Sequence, residues 1–172
     1  MLFRILSTLL LSLTLLHITA IQPALAGDEM TQFSDEDPKM NAAIAEARKT
    51  LPQFLNYAFA NGNKAASNTS LKVAFPTKTN GAEIIWVEAL QRKTASSFQG
   101  QLANAPNWLP GKTRGSSVSF TTDQIRDWNV VDPSTGKLFG NYTTRVMLPH
   151  LAADQRRQIK AILTSKPLPN GW

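Results

Sequence analysis

The chain has 172 residues, with 18 Lys and Arg against 12 Asp and Glu, two His and no Cys. That length suits one domain, and 42% hydrophobic with 17% charged residues suits a folded chain rather than a disordered one. The missing cysteines exclude disulfides, a thiol nucleophile, Cys-ligated zinc, iron–sulfur clusters and a lipidated N-terminal cysteine.

Residues 1–26 read as a secretory signal peptide. Arg4 supplies the positive start, Ile5 to Ile18 the apolar run, and Pro23 precedes Ala24-Leu25-Ala26, an A-x-A cleavage signal. The run falls short of the roughly 18 apolar residues of a spanning helix, so cleavage after Ala26 and a soluble mature protein are expected. A cysteine-free exported chain fits the bacterial periplasm, because it folds without oxidation machinery. Residues 27–37 form an acidic flexible leader containing Asp28, Glu29, Asp35, Glu36 and Asp37. Residues 38–172 are expected to be a single domain, and they hold 17 basic against 7 acidic side chains. Such a body attracts anionic partners, though the same charge also serves solubility.

Asp37-Pro38 is an N-cap followed by proline at the first helical position. Met40, Ala43, Ile44, Ala47, Leu51, Phe54, Leu55, Ala58 and Phe59 then recur at helical spacing, and Pro52 predicts a kink or split in that helix. Beyond residue 63 the period becomes two. Six strands are expected: around Leu71–Phe75, Glu83–Leu90, Phe98–Leu102, Ser117–Thr121, Ile125–Val131 and Leu138–Leu148. Asn80-Gly81 and Asp132-Pro133-Ser134-Thr135-Gly136 predict hairpin turns, and residues 104–115 a longer Pro- and Gly-rich loop. Leu151–Thr164 predicts a closing helix with Arg156, Arg157 and Lys160 on or near one side, suited to an anionic membrane surface. The order helix, strands, helix is α+β, with a strongly curved antiparallel sheet of five to six strands. Gly100 and Gly140 at apolar strand positions suggest bends, and so a partly open barrel.

Catalytic motifs are sparse. His17 falls in the signal segment and His150 follows Pro149 at a helix start, a surface or capping position. No G-x-S-x-G, G-x-G-x-x-G or phosphate-loop signature occurs, so neither a triad nor a nucleotide cofactor is indicated, and no metal site is expected. Glu83 and Glu88 point to opposite strand faces and form no dyad. Asp127 beside Trp128 is the best acid/base candidate, since apolar surroundings raise a carboxyl pKa; its alternative is a bond to turn backbone or to an arginine. In Gly140-Asn141-Tyr142-Thr143-Thr144-Arg145, strand alternation puts Asn141, Thr143 and Arg145 on one face, a ledge for a carboxylate, phosphate or sugar. The alternative there is a solvent-facing strand with Arg145 paired to an acid such as Asp127. Trp108 lies in the long loop, where a partly exposed aromatic anchors a partner. Phe98, Phe120 and Tyr142 suit a core better than a nucleic-acid platform, and export argues against nucleic acid as well.

The series from Asn41-Ala42-Ala43-Ile44 to Leu51-Pro52, through Leu71-Lys72-Val73-Ala74-Phe75-Pro76 and Ile85-Trp86-Val87, resembles the YegJ-like bacterial proteins, which carry a domain of unknown function. Phe98-Gln99-Gly100-Gln101-Leu102-Ala103-Asn104-Ala105-Pro106 resembles the central motif of that family. Ile125-Arg126-Asp127-Trp128 and Gly140 to Val146 resemble its closing motifs. Where the family reads Gly-Asp-x-Val, this chain has Gly115-Ser116-Ser117-Val118, so an acid is missing from a strand entry. The resemblance implies an exported or small accessory protein and assigns no reaction or catalytic residue. If its motifs share a surface, Asn104, Asp127, Trp128, Asn141, Thr143 and Arg145 converge. The functional expectation is a periplasmic binding or accessory protein for a protein or an anionic envelope component, without cofactor or metal, using Trp108 and these residues. The alternative is a carboxylate-dependent hydrolase or lyase on an envelope polymer, with Asp127 and Arg145 catalytic.

Overall fold

A computed structural model describes residues 37–79 and 81–172. The expected signal peptide, and the leader up to residue 36, lie outside the described residues. Helix α1 (Pro38–Lys49) begins where the Asp37 carboxylate accepts from the amides of Lys39 (2.8 Å) and Met40 (3.1 Å). It ends at Thr50, and α2 (Leu51–Ala58) restarts with Pro52 in its first turn, where the missing N–H costs nothing. The proline thus splits the apolar stripe into two helices. Both halves turn buried residues to one core, Ala47 from α1 and Leu51, Phe54 and Ala58 from α2, and Ala43 of α1 is buried as well.

The strands are β1 (Thr69–Pro76), β2 (Ala82–Arg92), β3 (Ser97–Leu102), β4 (Ser117–Thr121), β5 (Ile125–Val131) and β6 (Leu138–Gly140). They form one antiparallel sheet in the order β4-β3-β2-β1-β5-β6. The sheet stays open and does not close into a barrel. Alternation puts Leu71, Val73, Phe75, Ile85, Val87, Phe98, Leu102, Val118 and Phe120 on the face that meets the helices. Trp128 on β5 is fully buried in this layer. Its ring stands 5.4 Å from Phe54, 5.8 Å from Tyr142 and 5.6 Å from Trp172, so the end of the chain folds onto the core.

The two strand glycines serve close approach rather than barrel corners. A Cβ on Gly100 would come within 2.5 Å of Val87 Cγ1 and 2.8 Å of the Glu88 carbonyl. Gly140 has φ +71°, and a Cβ there would sit 2.1 Å from the Trp128 carbonyl oxygen.

The sixth strand corrects the expectation of an element running from 138 to 148. It stops at Gly140, Asn141 follows in the left-handed region (φ 55°), and α3 (Tyr142–Met147) begins. Asn141, Thr143 and Arg145 therefore do not share a strand face. A run of β-formers turns helical because a buried acceptor waits for its first amides, as described below. A short 3-10 turn through Leu148–His150 leads to α4 (Ala153–Ile162), which has no buried residue. The chain then returns to the sheet, where Leu163 bridges Leu138. No helix among the described residues is long and apolar enough to cross a membrane.

Candidate functional site

Asp127 lies on the sheet face away from α1 and α2, fully buried. Its Oδ1 accepts from the Trp128 amide at 2.8 Å, and its Oδ2 accepts from both the amide (2.8 Å) and the hydroxyl (2.7 Å) of Thr143. The carboxylate thus receives the first turn of α3, supplying across the fold what an N-cap residue supplies locally. Burial pushes its carboxyl above the usual range, against the pull of the Thr143 and Trp128 donors and the nearby Lys72 ammonium. Its partners are therefore a helix residue and a strand amide, in place of the expected turn backbone or arginine.

Thr143 connects Asp127 to a cation. Its hydroxyl donates to the carboxylate and accepts from Lys72 Nζ at 3.3 Å. Lys72 pairs in register with Asp127 on one side and Trp86 on the other, and its ammonium stands 5.7 Å from the Trp86 ring centre.

Arg145 does not pair with Asp127, which corrects the expected ion pair. Its Nε donates to the Gly140 carbonyl (2.9 Å), while Nη1 and Nη2 donate to the carbonyl (2.8 Å) and hydroxyl (3.1 Å) of Thr164. The guanidinium staples α3 to the segment after α4. Partial burial lowers its pKa, opposed by the charges of Asp127 and Tyr142. Asn141 is also a structural joint: its amide donates to the Trp128 carbonyl at 2.9 Å, and its own carbonyl accepts from the Arg145 amide at 3.0 Å. Trp128 Nε1 donates to the Ala47 carbonyl and the Thr50 hydroxyl, both at 3.1 Å. That hydroxyl also meets the Tyr142 hydroxyl at 3.2 Å, and burial raises the Tyr142 pKa.

Five of the seven candidates, Asp127, Trp128, Asn141, Thr143 and Arg145, therefore come together around the start of α3. Asn104 and Trp108 do not join them. They lie on the β3–β4 loop, with β2 and β1 between that side of the sheet and β5. Trp108 is half-buried, and the buried Glu83 holds its loop by accepting from the amides of Asn107 (2.6 Å) and Trp108 (2.9 Å). That role of Glu83 was not evident from its spacing to Glu88, although the opposite-face prediction holds: Glu83 is buried and Glu88 exposed.

Among the described residues no three His, Cys, Asp or Glu side chains are grouped to hold a metal. His150 is exposed on the turn before α4. An open depression of about 280 Å³ over β3 and β4 is lined by Lys93, Phe98, Phe120, Gln124 and neighbouring Ser and Thr side chains, with no carboxylate.

The architecture is an α+β domain whose helices α1 and α2 cover one side of an open antiparallel sheet. The chain belongs to a bacterial family described as "Uncharacterized protein conserved in bacteria (DUF2314)", which matches residues 37–163. No curated protein and no solved structure matches the chain.

Proposed function

We propose that this is an exported, non-enzymatic binding protein of the bacterial periplasm, recognising an anionic component of the envelope. The observation that carries the reading is how the fold uses its acids. From Pro38 onward there are 17 basic and 7 acidic residues. Four of the seven acids accept from backbone or hydroxyl donors within the fold. Glu83 and Asp127 do so as described, Asp123 accepts from Thr121, and Asp132 accepts from Ser134 and Thr135. Lys49–Glu46 and Arg157–Asp154 form ion pairs, and 17 bases against 7 acids leave ten more cations than acids in this body. The body therefore presents an excess of positive charge that internal pairing does not cancel, and such a field concentrates anions around it.

The hydrolase alternative has less support. Asp127 has its oxygens filled by three donors, and Arg145 is bonded to carbonyls. A general acid or base must instead reach a substrate proton. Co-sedimentation with a purified acidic envelope polymer tests the two readings together. The binding reading expects protein in the pellet and no soluble fragments. Release of fragments that stops in Asp127→Asn would favour the hydrolase.

A further inference from the structure

From the segment after α4 we infer that Trp128 and Tyr57 form a slot for an aromatic side chain of a partner peptide, and that Trp172 occupies it as a built-in competitor. This site goes beyond the charge-based binding reading and does not depend on it. Trp172 lies 5.6 Å from Trp128, stacked at 27°, and 5.4 Å from Tyr57 at 42°, with Phe54 on Trp128 at 5.4 Å. The inner wall is fixed, since Trp128 is fully buried and its indole nitrogen donates to Ala47 and Thr50. The outer wall meets water: Tyr57 is the exposed large hydrophobic side chain among the described residues, at 38%, and its hydroxyl accepts from Asn68 at 2.9 Å. An exposed aromatic beside a buried indole is the composition of an anchor site for a partner's ring.

Trp172 is held in this slot by packing alone. The last backbone link to the fold is at Pro167, whose carbonyl accepts from the Gly140 amide at 2.7 Å. Among the described residues no hydrogen bond ties residues 168–172 to the rest of the molecule; the Trp172 amide reaches Pro169, within the same segment, at 3.4 Å. Leu168 and Trp172 pack on the core half-buried, while Asn170 and Gly171 are exposed. A segment with so few ties opens locally at a cost well below that of global unfolding. The family match divides the slot in the same place: Tyr57 and Trp128 fall within residues 37–163, and Trp172 lies outside them. The walls thus belong to the domain, and the ring that fills them to a segment beyond it. That ring indicates the occupant, a tryptophan on a proline-flanked segment like Pro167-Leu168-Pro169, which is stiff before it docks and so loses less freedom on binding.

Fluorescence anisotropy with a labelled synthetic peptide of residues 165–172, titrated with the full chain, tests the slot. Wild type is expected to bind weakly, because only the fraction of molecules with the slot open can accept the peptide. Trp172→Ala, which removes the competing ring, is expected to bind about ten-fold or more tightly than wild type. Adding Tyr57→Ala to that variant is expected to reverse most of the gain, and a peptide carrying alanine in place of its tryptophan is expected not to bind. A folded Trp172→Ala that binds no better than wild type, or that binds both peptides alike, overturns the slot. Leu168→Ala loosens the segment and keeps every ring, so it too is expected to bind more tightly than wild type. If Trp172→Ala fails to fold, Leu168→Ala decides, and affinity equal to wild type overturns the proposal. Binding of the acidic envelope polymer is expected to be the same in all folded variants, so either reading can fail without the other.

Discussion

Asp127 and Thr143, sixteen residues apart, share two hydrogen bonds on a single carboxylate oxygen, at 2.8 Å from the amide and 2.7 Å from the hydroxyl. This contact turns the segment after β6 into a helix and sets Lys72 at the same time. Removing the hydroxyl with Thr143→Val keeps the shape but leaves the buried carboxylate short of one donor. The expected cost is about 1–3 kcal/mol in urea unfolding. Combined with Asp127→Asn, the two changes are expected to be non-additive by about 0.5 kcal/mol or more, because they act on one contact.

The buried carboxylate also carries a pH signature. Asp127 has a raised pKa, chiefly from burial. A group raised in the folded state stabilises most below its unfolded pKa, and that contribution is lost as pH rises through the folded value. Asp127→Asn, which cannot ionise, is therefore expected to gain stability relative to wild type as pH rises across that window. Asp123 and Asp132 are lowered, first by the hydroxyls of Thr121 and Thr135, and contribute in the opposite direction, losing stability as pH falls. Both chains share that background, so the difference between their denaturation curves isolates Asp127. A difference that is flat, or that falls with rising pH, contradicts the assignment.

Gly140 is expected to be the least replaceable glycine. Gly140→Ala places a methyl against the Trp128 carbonyl and ring at positive φ, and should cost about 2–5 kcal/mol in urea unfolding. Gly136, at φ +69° with open space around its missing Cβ, should cost only about 1–2 kcal/mol on the same change. Equal losses at the two sites would remove the packing argument.

Glu83 is expected to govern the loop over residues 104–115. In Glu83→Ala the amides of Asn107 and Trp108 lose their acceptors. Hydrogen exchange should quicken there while Val73, inside the sheet, keeps its protection. Uniform quickening would show a general loss of stability instead.

Much of this fold was legible because its elements carry clean periods. The Asp37-Pro38 start, the division at Pro52, five of six strands and the closing helix follow from local chemistry. Residues 141–147 were not legible, since Tyr, two Thr and Val are β-formers. What made them helical was an acceptor on another strand, and tertiary context overrides propensity. The adjacent pair Gly140-Asn141, two residues tolerant of positive φ, was the available signal that the strand ends there. The same misreading put Arg145 on a ledge, whereas its donors close the chain against Thr164. Lys72 and Trp86 were visible as strand residues. Their meeting needed the β1–β2 register, which no single segment contains.

The most direct test of the central claim is the salt dependence of binding between the purified protein and an acidic envelope polymer. Screening shortens the reach of surface charge from about 30 Å at 0.01 M salt to about 3 Å at 1 M. Affinity that falls steeply across that range, with the polymer left intact, is the predicted result. Binding absent even at the lowest salt, or polymer cleaved during the measurement, would contradict it.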